Sequence, residues 1–182
     1  MKKLSMEELN RLTVDEFREA PKTPLTIALD NVRSMHNVGS AFRTADAFRI
    51  EKIILGGITG RPPHREINKT ALGATETVSW THEERLAPAL ERLKSAGYVV
   101  VSFEQTTKSL PLQEFSVEIN KKYCFVFGNE VFGVNDEVLN LSDYCVEIPQ
   151  FGSKHSLNVS VAIGIAVWDY FQKSLVKQND PN

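Results

Sequence analysis

The stretch Ile148-Pro149-Gln150-Phe151-Gly152-Ser153-Lys154-His155-Ser156-Leu157-Asn158-Val159-Ser160 leads from a short apolar run into a long helical pattern. The loop between them carries glycine, hydroxyl and amide groups. Two earlier stretches share this design. Phe127-Gly128-Asn129-Glu130-Val131-Phe132-Gly133 closes one apolar run, and Asn37-Val38-Gly39-Ser40-Ala41-Phe42-Arg43-Thr44-Ala45 comes shortly after another. Glycines, small polar residues, one acid and one arginine recur at the borders of apolar runs. Ordinary turn residues would satisfy folding alone, so the three stretches read as parts of a single site.

The surrounding sequence alternates in period. Short apolar runs at Leu25–Leu29, Ile53–Leu55, Tyr98–Phe103, Tyr123–Phe127 and Cys145–Ile148 predict strands, with Thr77–Trp80 as a further candidate. Helical spacing covers Val38–Phe48, Glu66–Leu72, Glu83–Ser95 with Gly97 as its stop, Asn135–Leu141 and Leu157–Leu175. The early part of the last helix is apolar on most sides, which predicts burial nearly all round. Ser5-Met6-Glu7-Glu8 has capping-box spacing and predicts a helix carrying Leu9, Leu12 and Phe17 that ends before Pro21. Strands alternating with helices predict an α/β domain, a mostly parallel sheet with helices on both faces. Ligands in such sheets gather at the carboxyl ends of strands, where the three stretches fall. The expected division is an N-terminal helical extension over 1–22, one domain over 23–176 and a polar tail over 177–182, frayed from Lys177.

The bulk numbers fit one globular domain: 182 residues, 42% hydrophobic and 24% charged. No apolar run reaches the ~20 residues that span a bilayer, and no apolar signal core follows Lys2 and Lys3, so a cytoplasmic chain is expected. A net charge of −2 speaks against a strongly basic nucleic-acid binder. The charge is uneven, however. From Asn31 to Thr70, seven basic residues against three acids leave an excess of +4. Cys124 and Cys145 sit in apolar runs and are expected as buried free thiols. Neither they nor His36, His64, His82 and His155 have metal-site spacing, so no metal is expected. The phosphate-cradling glycine patterns of dinucleotide enzymes and P-loop proteins are absent as well.

Together, Asn37-x-Gly39-x-x-x-Arg43-x-Ala45, Gly128-Asn129-Glu130-x-x-Gly133, and Ile148-Pro149 with Ser156-Leu157-Asn158-Val159-Ser160 resemble the SpoU (TrmH-like) branch of the SPOUT RNA methyltransferases. The resemblance spans about Leu25 to Phe171. It implies S-adenosylmethionine (SAM) as methyl donor, an RNA ribose 2′-hydroxyl in tRNA or rRNA as acceptor, a C-terminal trefoil knot and a homodimer. An RNA- or SAM-binding protein of the same fold that has lost catalysis is the alternative. Arg43, Glu130 and Asn158, all present, argue against it.

Methyl transfer from a sulfonium to a hydroxyl needs alignment above all. Gly128, Ile148 and Leu157 match family positions that cradle SAM, and glycine at 128 admits close backbone approach. Arg43 is the leading catalytic candidate. A guanidinium is a poor base but can grip a phosphate bidentately and orient the ribose. Asn37 could cap the helix that bears Arg43, and Glu130 could anchor its own loop or position Arg43. Ser156 is a candidate N-cap for the last helix, with Asn158 offering donor and acceptor beside it. Arg33, Arg61, Arg65 and Lys154 are candidate RNA phosphate contacts. With no sizeable domain before the first strand, RNA recognition is expected to fall on this domain, its terminal helices and its dimer partner. Two positions depart from the family pattern: Gln150 stands where Met is frequent, and Arg49 where Gly is common.

Overall fold

The computed structural model of the chain describes residues 1–5 and 7–179, with side chains through position 175. Seven strands form one sheet: β1 (Thr23–Asp30), β2 (Ile50–Gly56), β3 (Trp80–Glu83), β4 (Tyr98–Phe103), β5 (Leu110–Pro111), β6 (Lys122–Phe127) and β7 (Tyr144–Glu147). Their order is β3-β2-β1-β6-β4-β7-β5, and every neighbouring pair is parallel. The helices are α1 (Val14–Glu19), α2 (Met35–Ala47), α3 (Arg65–Ala71), α4 (Ala74–Thr77), α5 (Leu86–Ser95), α6 (Asp136–Leu141) and α7 (Val159–Asn179).

Strand residues alternate between two cores, as the period of two requires. Leu25, Ile27, Leu29, Ile53, Leu55, Tyr123, Phe125 and Phe127 face the larger one, where α1 to α4 and α7 pack. Ala28, Ile54, Val100, Cys124 and Val126 face the smaller one, under α5 and α6. A sheet covered on both faces needs continuous apolar strands, and the central strand β1 is buried from Leu25 to Asp30. Bulky rings gather on one side: Phe103 stacks on Phe127 at 4.8 Å between ring centres, and Tyr123 and Phe125 meet Tyr170 of α7 edge-on.

Several expectations need correction. Ser5 and Glu8 do exchange capping bonds, but only a turn follows. Asn10 takes a positive φ of 45°, and a second capping box, Thr13 with Glu16, starts α1 at Val14. Leu9 and Leu12 are left exposed while Phe17 is buried. The segment Thr77–Trp80 is not a strand: Thr77 ends α4, and β3 begins at Trp80 and takes up Glu83, so α5 starts at Leu86. Helix α7 continues through Asn179, past the expected start of the frayed tail; positions 180–182 lie outside the described residues. Nor is its first half enclosed, because Val161, Ile165 and Trp168 are exposed along one stripe. Cys124 is fully buried, and burial pushes its thiol up to about 12. Cys145 is only half-buried. Arg49 adopts φ 49° immediately after α2, a left-handed position where glycine carries no steric cost.

Candidate active site

The carboxyl ends of β4, β6 and β7 open into one cleft of about 430 Å³. Phe103, Phe127, Val146, Ile148, Leu157 and Ala162 form its apolar walls. Glu104, Glu130, Glu147, Gln150, Ser156 and Asn158 contribute its polar ones. Gly128 lines it too, so the three residues expected to hold a cofactor share one cavity. The second and third stretches therefore converge.

The loop after β6 is rigid for local reasons. Asn129 and Gly133 exchange both backbone hydrogen bonds at 2.9 Å, with Gly133 at φ +69°. The Asn129 side chain accepts from the amides of Val131 (2.9 Å) and Phe132 (3.1 Å), and donates to the carbonyl of Asn31 (2.7 Å). Gly128 is required by this loop itself, since a Cβ there would lie 2.1 Å from the carbonyl carbon of Gly133. The close backbone approach belongs to the protein's own chain. Glu104, just past β4, receives the amide of Val134 at 2.9 Å and closes the other side of the loop.

Glu130 joins this loop to the start of α2. One oxygen accepts from the amide of Arg33 (3.0 Å), and the other from the amide of Ser34 (3.0 Å) and the side chain of Asn37 (2.9 Å). Partial burial works against its charge, but these donors outweigh it and hold the carboxyl below its ordinary value. Ser34, not Asn37, caps α2, accepting from the Asn37 amide. Asn37 sits inside the helix, buried, with its side chain spent on Glu130. Gly39 lets α3 approach closely, for a Cβ there would meet Thr70 Oγ1 at 2.1 Å.

At the start of α7 the cap is Asn158 rather than Ser156. Asn158 Oδ1 accepts from the amide and hydroxyl of Ser160 at 2.9 and 2.6 Å, and its carbonyl receives the amides of Val161 and Ala162. Ser156 lies two residues too early to cap and lines the cleft instead.

Arg43 does not line the cleft. It is exposed on α2, over a separate depression of about 450 Å³ shared with Ser40, Thr44, Ala47, Phe48, Lys69, Thr70 and Gly164. Its side chain has no ion pair or hydrogen bond among the described residues. Glu130 thus touches the helix that carries Arg43 but not Arg43 itself. Arg33, Arg61, Arg65 and Lys154 are all exposed and outside the cleft lining, and Arg65 is within 4.0 Å of Glu66.

Two structurally central polar residues, Glu104 and Asp30, escaped the sequence reading, and a third, Asn129, was read only as a member of its motif with no role of its own. Asp30 accepts from the amide of Asn135 (2.8 Å) and from Asn31 Nδ2 (2.7 Å), and its burial raises its carboxyl pKa against those bonds. Each follows or ends a central strand, which is the signal that could have found them.

Comparison with known proteins agrees with this geometry. Residues 24–168 match the SpoU rRNA Methylase family. The chain is 30% identical over 169 residues to the 23S rRNA (guanosine-2′-O-)-methyltransferase RlmB of Vibrio parahaemolyticus, covering 93% of this chain and 67% of that enzyme. It is 30% identical over 162 residues to the tRNA (guanosine(18)-2′-O)-methyltransferase of Thermus thermophilus, covering 89% of this chain and 81% of that one. Among solved structures, the A. aeolicus TrmH/SpoU tRNA modifying enzyme superposes with a TM-score of 0.80 at 27% identity, over 91% of this chain and 82% of that one. An AdoMet-bound rRNA methyltransferase from Sinorhizobium meliloti does so at 0.76 and 26%, over 86% and 59%. With the matched region running from β1 into α7 and enclosing the whole cleft, the chain belongs to the SpoU rRNA Methylase family.

Proposed function

We propose that this protein transfers a methyl group from SAM to the 2′-hydroxyl of a ribose in tRNA or rRNA, working in the cytoplasm as a homodimer. Both relatives named above modify a guanosine, which makes guanosine the favoured nucleotide. The observation that carries the reading is the convergence of Gly128, Ile148 and Leu157 on one cleft beside Glu130 and Asn158.

The cleft suits SAM. Its volume of about 430 Å³ falls in the range of small-molecule sites. Phe103, Phe127, Ile148 and Leu157 offer apolar surface for an adenine ring. Glu104, Glu130 and Glu147 favour a ligand bearing positive charge. When bound, SAM supplies a methyl group on a sulfonium that departs as a neutral thioether. The protein's part is positioning. Asn129, Gly133 and Glu104 hold the Gly128 loop in one shape, and the Asn158 cap fixes the start of α7 against it. The C-terminal knot implied by the family resemblance belongs to this same reading.

Arg43 contributes a fixed positive charge able to grip an RNA phosphate and turn the ribose hydroxyl toward the methyl carbon. Because it lies outside the cleft of its own chain, the homodimer reading assigns it to the cleft of a second copy. The exposed stripe of Val161, Ile165 and Trp168 supports this. So does Gly164, which opens onto the depression holding Arg43 and has nothing within 4 Å of where a Cβ would sit.

The test is transfer of tritium from methyl-labelled SAM to unfractionated tRNA and to rRNA, followed by mass-spectrometric mapping of ribose methylation. Incorporation into a 2′-O-methylated nucleotide is expected. Binding of SAM or RNA without transfer to either RNA would favour the inactive binding protein, and absence of SAM binding would refute the enzyme.

A further inference from the structure

Two phenylalanines stand at the rim of the cleft with their rings in solvent. Phe132 is 83% exposed and Phe151 98% exposed, whereas the other exposed aromatics among the described residues, Tyr144 and Trp168, are at 44% and 48%. Neither ring lines the cleft, yet Val131 and Gly133 flank Phe132 and line it, and so does Gln150 before Phe151. The two rings therefore project outward from the two loops that form the cavity.

The backbone that carries the first ring is held in place. The Phe132 amide donates to Asn129 Oδ1 at 3.1 Å, inside the turn closed by Asn129 and Gly133. A fixed loop tip presents its ring without an ordering cost on binding. The second ring stands in open surroundings, and the neighbouring Gly152 has nothing within 4 Å of a Cβ position. Cations accompany both. Arg33 is tied to the first loop through the hydrogen bond that its backbone N–H donates to the Glu130 carboxylate, and Lys154 lies three residues beyond Phe151. Neither side chain has an ion pair or hydrogen bond among the described residues.

We propose that Phe132 and Phe151 are stacking platforms for unstacked bases of a single-stranded RNA segment, holding the nucleotides that flank the target ribose while Arg33 and Lys154 take their phosphates. Aromatic faces interleaved with cations suit single-stranded RNA, whose bases expose π-faces that a duplex conceals. The acceptor is then a nucleotide in a loop or one drawn out of a helix, not one within continuous duplex. This rests on the reading of the cleft as a site of RNA ribose methylation and adds the substrate class that the rim selects.

The test measures binding to unfractionated tRNA and to a fully paired RNA duplex, for the wild-type chain, Phe132→Ala, Phe151→Ala and Phe132→Trp. The wild type is expected to prefer tRNA. Each alanine variant should lose about tenfold in tRNA affinity while duplex affinity, SAM affinity and oligomeric state stay as in the wild type. The fluorescence of Phe132→Trp should be quenched by tRNA and not by duplex. Unchanged tRNA affinity in both alanine variants would overturn the proposal, as would their dissociation into monomers, which would show that a second copy covers the rings. If the wild type methylates RNA while the variants bind it equally well, the rim proposal fails and the activity stands. If tRNA quenches Phe132→Trp but no methyl transfer occurs, the activity fails and the stacking surface stands.

Discussion

Asn37 donates its side-chain amide to Glu130 across 2.9 Å, joining positions 93 residues apart in the chain. This bond, with those from the amides of Arg33 and Ser34, ties the first stretch to the second. It places the helix that bears Arg43 relative to the loop that walls the cleft. Glu130 is a positioning residue in this arrangement, since its carboxylate bonds the segment Arg33–Asn37 through three donors.

Replacing Glu130 with Gln swaps one acceptor for a donor that faces a backbone N–H. Glu130→Gln should lose about 0.5–1.5 kcal/mol of stability, read from urea unfolding at neutral pH. The pH dependence follows from its lowered pKa. The wild-type contribution is complete above the unfolded glutamate value of roughly 4.3 and is lost as pH falls through the lower folded value. The stability gap between wild type and variant should therefore shrink on acidification below that point. A gap that stays constant there would show that the carboxylate's charge is not what holds the clamp.

Gly128→Ala should force the Gly133–Val134 backbone to move, because its Cβ would fall 2.1 Å from the Gly133 carbonyl carbon. Expected are a stability loss of about 1–3 kcal/mol and SAM binding weakened by about tenfold or more, measured by calorimetry. Gly152→Ala is the control, with nothing within 4 Å of its Cβ position, and should unfold like the wild type.

Arg43→Ala should lower methyl transfer by about 100- to 1000-fold and leave SAM affinity unchanged, since Arg43 lies outside the cleft lining. Arg43→Lys should recover only part of the rate, because an ammonium keeps the charge but not the planar fork. Equal turnover in the alanine variant would remove Arg43 from the mechanism.

Ile165→Asp and Trp168→Asp place charge on the exposed stripe of α7. Light scattering should show self-association weakened by about 30-fold or more, with the circular dichroism spectrum retained. Methyl transfer should fall with the dimer fraction. A variant that is monomeric and fully active would mean that Arg43 does not act across two copies.

The alternation of strands and helices was legible because hydrophobic period is a local property of the chain. Segments too short to show a period were not. Helix α4 went unread, with its last residue Thr77 reading as the start of a strand over Thr77–Trp80, and the two-residue edge strand β5 left no trace. Only the first capping box at the N-terminus, Ser5 with Glu8, was read from the sequence; the helix starts instead at the second, Thr13 with Glu16, beyond Asn10 and its positive φ.

The site was legible residue by residue but not as a set of contacts. Gly128, Glu130, Ile148, Leu157 and Asn158 were identifiable through the motifs that resemble the family, which border apolar runs, and they do share one cleft. That Asn37 serves Glu130 instead of capping α2, that Asn158 displaces Ser156 as the α7 cap, and that Gly128 makes room for Gly133 are pairings the linear pattern does not contain.

What the sequence alone determined was the α/β class, the strand-end location of the site and the kinds of group it holds, since periodicity and turn chemistry act over a few residues. Only the tertiary structure decided which of those groups meet and that Arg43 stands apart from the cleft. Contacts across dozens of residues depend on strand order and helix packing, and the order β3-β2-β1-β6-β4-β7-β5 is written in no single segment of the chain.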